Sequence, residues 1–443
     1  MRGVIAPPAA NQHSDALIVG AGPAGSSLAW RLASAGARVL LIDATAFPRS
    51  KPCGDALSPG ATPFLREMGV VRSLRDAGAH SLRGWRIQAP SGRWFEGRFA
   101  APRTGVPRLA FAVPRSELDS LLLDAALRAG VHFLPSARAF DLVTAEDGRA
   151  LGVRVRLGDG SARELRARLV VGADGLRSVV ARRLGGVRRG NRARLAIVGR
   201  FEGTRVDGRL GVMHVSGEGC LGMAPLGGGR CNITVVVPMA AAGRVSTNRW
   251  GFYRERLRRY AVWGKVSDGK LSERLQITGP FEVSPRRVVG PGALLVGDAA
   301  GYFDPFTGQG IYRALYTAQL AAPRCSAPWS NLPKRAPGSH ATKSSCAACS
   351  ARADGRSAWS MRSSRDPLSS TLPPVSWPPI PGWRTCSSTL QGTGSPRPHY
   401  WIRGACGGGR GIEPRGRQPR HSPRVRSVTP SVGRGVEGSH AHV

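Results

Sequence analysis

Lysine is nearly absent from this 443-residue chain: it stands only at Lys51, Lys265, Lys270, Lys334 and Lys343, although Lys and Arg together number 64. The basic side chains are therefore almost all arginine, and with 58 glycines and 34 prolines the composition is that of a GC-rich coding sequence. Acidic residues are scarce as well, 28 in all, which leaves a formal net charge of +36. Such a balance by itself suggests nucleic acid or an anionic membrane. Here the charge is spread along the chain and no recognised binding module accompanies it, so no nucleic-acid partner is expected. No apolar run reaches the roughly 18 residues of a membrane-spanning helix. The opening residues also lack the apolar core of a signal peptide, and a cytoplasmic chain is expected. Cysteine is sparse where the pattern is good: of eight, only Cys53, Cys220 and Cys231 precede residue 323. Cys346 and Cys349 form a CxxC with no second pair at zinc-ribbon spacing, and no metal is expected.

What the chain does have is concentrated in residues 15–43, DALIVGAGPAGSSLAWRLASAGARVLLID. An apolar run at 16–19 leads into Gly20, Gly22 and Gly25 at GxGxxG spacing; a helical pattern follows, then a second apolar strand at 39–42 that ends in Asp43. This is a whole βαβ unit. Gly20 permits the tight turn, Gly22 lets backbone approach a pyrophosphate, and Gly25 allows helix and strand to pack closely. The helix N-terminus favours the phosphate charge, and Asp43 would accept hydrogen bonds from a ribose.

The remainder up to residue 322 alternates strand and helix signals. Helices are expected near 62–68 and from 113 to 127, strands at 131–134 and 151–157, with a turn at 146–149 and a hairpin at 158–160. Segments 194–201, 209–215, 219–225 and 230–237 have the spacing of an antiparallel sheet facing the substrate, and 293–296 returns to a buried parallel-type strand. Residues 254–259, RERLRR, read as the solvated face of a helix. The fold class is α/β: a Rossmann-like cofactor-binding domain with a parallel sheet (14–185 and 289–322), an antiparallel-sheet substrate domain (186–288), and an irregular tail (323–443).

Two more motifs identify the cofactor. Residues 169–178, LVVGADGLRS, put Asp174 on the loop after an apolar strand, and 293–310 read ALLVGDAAGYFDPFTGQG. In this order, the three segments resemble the fingerprints of FAD-dependent oxidoreductases of the aromatic-hydroxylase and geranylgeranyl-reductase group, over residues 14–322. The resemblance implies FAD, with Asp298 on its ribityl chain and Arg115 and Asp174 supporting the nucleotide and its strand-loop surroundings. Gly20, Gly22, Pro23, Ala24, Gly25, Asp43, Lys51, Cys53, Gly297, Pro305, Gly308, Gln309, Gly310 and Ile311 complete the expected cofactor contacts. Independently of the resemblance, the Gly-rich turn at 307–311 opens a helix whose N–H groups and dipole would stabilise negative charge on the pyrimidine side of a reduced flavin. Segment 51–59, KPCGDALSP, looks most like the geranylgeranyl-reductase branch.

The chemistry is less determined by the residues. A flavin passes a hydride to an activated alkene, or reacts with oxygen and hydroxylates an electron-rich ring. Hydroxylation of an apolar or aromatic small molecule is placed ahead, with saturation of a prenyl chain as the alternative, in which case peripheral membrane contact is open. Cys53, beside Lys51, is the one candidate for a catalytic contact; a small buried thiol without chemistry is the plain alternative. Met213, Met223, Trp263 and Phe306 are expected mostly in the core, and His214 is expected to be structural. No second strand-linked GxGxxG is present, and 404–411 lacks the flanking strand and helix, so NADPH or NADH would bind transiently or a protein donor would replace it.

Beyond about residue 323 the pattern stops. Arginine, serine and proline dominate, but Trp329, Trp359, Trp377, Trp383 and Trp401 do not suit ordinary disorder. Assigning GC-rich codons to 343–365 and regrouping them by one nucleotide gives EELLRRVQRARRWPVRLVDAVVAR, an amphipathic helix pattern; the same shift at 383–388 gives RLADLL. A frameshifted tail without stable packing is the expectation, with an inactive flavin-binding remnant as a third functional reading. The coding sequence tests it: the codons must regroup into helical protein in one consistent frame.

Overall fold

The computed structural model describes residues 14–99, 110–191, 193–206 and 208–325. The expected tail therefore lies outside the described residues, except that the last helix, Gly310–Cys325, runs past residue 323. The opening unit folds as its sequence pattern indicates: strand β1 (Ser14–Val19), helix α1 (Pro23–Ser34) and strand β2 (Val39–Ile42). β1 and β2 pair in parallel, Ala16 with Val39 through Val19 with Ile42. Pro23 occupies the first helical turn, where its missing N–H costs nothing.

β1 sits inside a sheet ordered Val289–Gly290, Ala293–Leu295, Ala162–Gly172, β1, β2, His132–Leu134, parallel except at the short first strand. The chain leaves β1 toward β2 on one side and later returns on the other, which makes a switch point at the carboxyl end of β1. An apolar run rather than an alternating one is what a sheet covered on both faces requires. Ala16 and Ile18 pack with Leu28, Leu32 and Ala318 of the helices on one face. Leu17 and Val19 pack with Val153, Val155 and Val180 on the other, where Arg138–Thr144 and Ala150–Arg156 form a meander with the long strand Ala162–Gly172.

The four expected antiparallel strands are present as Arg194–Glu202, Leu210–Ser216, Gly219–Gly227 and Arg230–Pro238. Their sheet also takes in Gly84–Gln88, which runs parallel to Leu210–Ser216, and Trp94–Arg98 at the edge. One face of this sheet packs on helix Arg249–Arg259 through Phe252, Tyr253 and Leu257. That helix corrects an expectation: Arg256 is buried rather than solvated, and its guanidinium pairs with Glu218. Stacking over Phe252 lets the arginine stem share the apolar face. Among the described residues, no helix is long and apolar enough to cross a membrane.

Candidate functional site

At the carboxyl end of β1 the glycines are sterically required. Gly20 has φ +102°, and a Cβ there would lie 2.5 Å from the Ala173 carbonyl oxygen. A Cβ on Gly25 would lie 1.8 Å from the Gly20 oxygen. Gly22 is different: the nearest atoms to its would-be Cβ are guanidinium nitrogens of Arg49 at 3.7 Å and Arg115 at 3.8 Å. Gly22 caps α1 with no side-chain hydrogen bond. The first helical N–H groups thus open onto a space flanked by two arginines, which suits a diphosphate.

Asp119, fully buried, organises those arginines. It accepts both Nε and Nη2 of Arg115 at 2.8 Å and pairs with Arg49 at 3.1 Å. Burial works against the Arg115 charge, but the Asp119 carboxylate outweighs it and leaves the guanidinium pKa above its ordinary value. Asp43 lies where the sequence places it, with one oxygen on the Ala21 N–H at 2.9 Å and the other on Thr45 Oγ1 at 2.9 Å. It holds the glycine turn; Oδ1 also accepts the Thr45 N–H, and Oδ2 keeps a second lone pair for a ribose hydroxyl.

The other two fingerprints reach the same crevice. The would-be Cβ of Gly20 is 3.0 Å from the Asp174 Cα, and that of Gly297 is 2.8 Å from the Ala24 Cβ on α1. Asp174 accepts the Val179 N–H at 2.6 Å through Oδ2, while its Oδ1 is buried with no hydrogen-bond partner among the described residues. Burial raises this carboxyl, against hydrogen bonds from Ser178 and Val179. Gly297, at φ +61°, anchors its N–H on Thr317 Oγ1 at 2.8 Å and presents Asp298. Burial raises the Asp298 carboxyl too, against the attraction of Lys51, Arg313 and Arg115.

Residues 51–60 close the crevice from the side of the antiparallel sheet. Lys51 Nζ lies 3.5 Å from the would-be Cβ of Gly175. Burial lowers the Lys51 ammonium, and Arg115 and Arg49 push the same way, with Asp119 and Asp298 opposing. Burial raises the Cys53 thiol, against the attraction of Arg115, to which it is hydrogen-bonded. Ser58 Oγ is 3.4 Å from Gln309 Oε1. Pro305 begins a short 3-10 turn capped by Asp304, Gly308 at φ +62° reverses the chain, and Gly310 opens the last helix. Ile311 turns its side chain into the core with Leu65 and Phe111, so its N–H alone is available to a ligand.

Sequence reasoning missed Arg49 and Asp119, and also Asp55, Arg200 and Asn232, which are all buried and joined below the 51–55 loop. The available signal was an arginine, Arg200, following the apolar run LAIVG in RLAIVGRFE and a lone asparagine in RCNITVVVP. His214, expected to be structural, is buried with its Nδ1 2.7 Å from Gln88 Oε1 and its ring edge-on to Trp94. Met223 is core, Trp263 packs against the same cluster and Phe306 against another. Among the described residues no group of side chains could hold a metal ion.

An FAD fits what is present. The uncapped helix end between two arginines would take its diphosphate, the unpartnered Asp174 Oδ1 and the Asp298 carboxylate would offer acceptors, and Gly22 leaves room for close approach. Residues 13–320 match the family described as FAD binding domain. The chain is 33% identical over 333 residues to the menaquinone reductase of Mycobacterium tuberculosis (strain ATCC 25618 / H37Rv), covering 70% of this chain and 76% of that one. It is 31% identical over 325 residues to digeranylgeranylglycerophospholipid reductase 1 of Methanopyrus kandleri, covering 69% and 79%. The solved structure of a myxobacterial chondrochloren halogenase, a variant of FAD-dependent halogenases, superposes with a TM-score of 0.67 at 25% identity, covering 73% of this chain and 76% of that one.

Proposed function

The chain belongs to the FAD binding domain family of FAD-dependent oxidoreductases, and on that footing we propose that it saturates a carbon–carbon double bond in the prenyl chain of a lipid. This places reduction ahead of hydroxylation, the reverse of the order taken from the motifs alone. The support is the pair of relatives named for reductases of menaquinone and of a digeranylgeranyl lipid, joined to one observation at the site. That observation is a thiol, Cys53, whose pKa burial raises, beside Lys51 and Arg115 at the mouth of the crevice.

Saturation requires a hydride on one carbon and a proton on its neighbour, and FAD when bound supplies the hydride. In this reading the α1 N-terminus, Arg49 and Arg115 hold the diphosphate, Asp43 a ribose, and Asp298 the ribityl hydroxyls. Asp174 receives a further hydroxyl or amide on its free oxygen, and the N–H groups of 308–311 stabilise charge on the pyrimidine edge. Cys53 Sγ, protonated at neutral pH because burial disfavours the thiolate, holds the proton for the alkene carbon. Arg115, whose charge the Asp119 carboxylate secures, keeps the local field positive beside the thiol.

The test is anaerobic incubation of dithionite-reduced protein with a menaquinone or geranylgeranyl lipid, followed by mass spectrometry. A gain of two hydrogens per double bond is expected. A product gaining oxygen in air, with NADPH consumption, would instead establish the second reading, hydroxylation, which the likeness to a halogenase structure supports.

A further inference from the structure

We propose that Arg200 and Asn232 are positioning residues: from the antiparallel sheet they grip the backbone of residues 50–55 and so fix how Lys51 and Cys53 face the cofactor crevice. The identification of that crevice rests on the function proposed above, but the grip itself is a matter of geometry.

Arg200 lies near the end of strand Arg194–Glu202, on the face it shares with the apolar Ala196 and Val198, and it is 7% exposed. A buried guanidinium is tolerated only when its donors are satisfied. Here all but one of its bonds go to one short stretch of chain: Nε and Nη2 to Asp55, Nη2 also to the Lys51 carbonyl at 3.1 Å, and Nη1 to Ser50 Oγ at 3.2 Å, with Glu273 as a further partner of Nη1. Asn232, on the neighbouring strand, donates through Nδ2 to the Cys53 carbonyl and to Asp55 Oδ2, both at 2.7 Å. Thr234 Oγ1 donates to Asn232 Oδ1 at 3.0 Å, which fixes the amide the right way round. Asp55, fully buried at φ +55°, takes a left-handed conformation that a non-glycine residue adopts only when its surroundings impose it.

A simple core tie would need one such bond. Four acceptors within six residues, two of them the carbonyls of Lys51 and Cys53, instead define the path of the backbone. With those carbonyls held on the sheet, the side chains turn to the opposite side, where Lys51 Nζ approaches Gly175 and Cys53 meets Arg115. Asp55 is not itself placed for chemistry, because both of its oxygens are engaged and it has no exposure.

The experiment uses the full chain with added FAD, comparing wild type with Asn232→Ala and Arg200→Lys. Arg205→Ala, which breaks an exposed ion pair with Asp268, serves as control. Alkylation of Cys53 by iodoacetamide is followed across pH by peptide-resolved mass spectrometry, since seven other cysteines are present. Loosening the loop admits water and lets the thiol return toward its ordinary acidity, so Cys53 should react about tenfold faster near pH 8 in both variants. The visible flavin band should shift with it, while Arg205→Ala should behave as wild type. Unchanged Cys53 kinetics in folded variants, judged by circular dichroism, would overturn the proposal. If Arg200→Lys does not fold, Asn232→Ala decides alone, because it leaves the Arg200–Asp55 pair intact. Altered Cys53 kinetics in a protein that never retains flavin would uphold the grip and remove the flavin reading.

Discussion

Gly25 leaves no space for even a methyl group, because the Gly20 carbonyl already occupies it. Gly25→Ala should therefore destabilise the fold by about 2–4 kcal/mol, read from a shifted urea midpoint. Asp298 makes a different kind of demand: among the described residues its carboxylate has no hydrogen bond of its own, and Lys51, Arg313 and Arg115 stabilise its charge. Asp298→Ala should weaken FAD binding about tenfold or more in a fluorescence titration. Unaltered affinity would remove the ribityl role. The glycines and the two aspartates were legible because a backbone requirement confines residue type to a fixed spacing. Arg49, Arg200 and Asn232 were not, because each is paired to a residue on another element and nothing in local spacing announces the pairing, whereas Asp119 stands four residues after Arg115 on one helix and its partner was within reach of a spacing argument.

At the scale of elements, the β1 strand is pinned at its start by Asp15, which accepts the Arg38 N–H at 3.0 Å just before β2. Burial raises the Asp15 carboxyl, but hydrogen bonds and charge from Arg38, helped by Arg168, outweigh it and hold it below the usual range. A depressed folded-state value means the contribution is present above the unfolded carboxylate pKa and is lost as pH falls through the folded one. Asp15→Asn should thus cost about 1 kcal/mol at neutral pH, and the difference from wild type should fade in thermal melts at acid pH. Strands with both faces covered, or with strict alternation, were readable as such. Trp94–Arg98 was not, because it is an edge strand whose positions are largely exposed and no apolar period marks it; Gly84–Gln88 alternates Trp85 and Ile87 with Arg86 and Gln88, but over only five residues. Arg256 escaped for another reason, since arginine on a helix is normally read as solvated and here its guanidinium lies over the Phe252 ring and the residue is buried.

For the whole molecule, ligand binding and folding are linked. FAD at about a hundredfold over its dissociation constant should add about 2.7 kcal/mol of stability, visible as a raised melting temperature that tracks FAD concentration. A melting temperature indifferent to FAD would contradict the assignment of the crevice. The architecture of two sheets was legible from the change of period along the chain; which element meets which was legible only through the shared cofactor that the three fingerprints implied.

The contact between Gly297 and Ala24, with Thr317 behind it, joins the earliest helix to the latest one. Such a meeting has to wait until Gly297 and Thr317 have been synthesised, long after the residues of α1. The vitamin-derived prosthetic group would then be loaded only once both of those distant segments have left the ribosome.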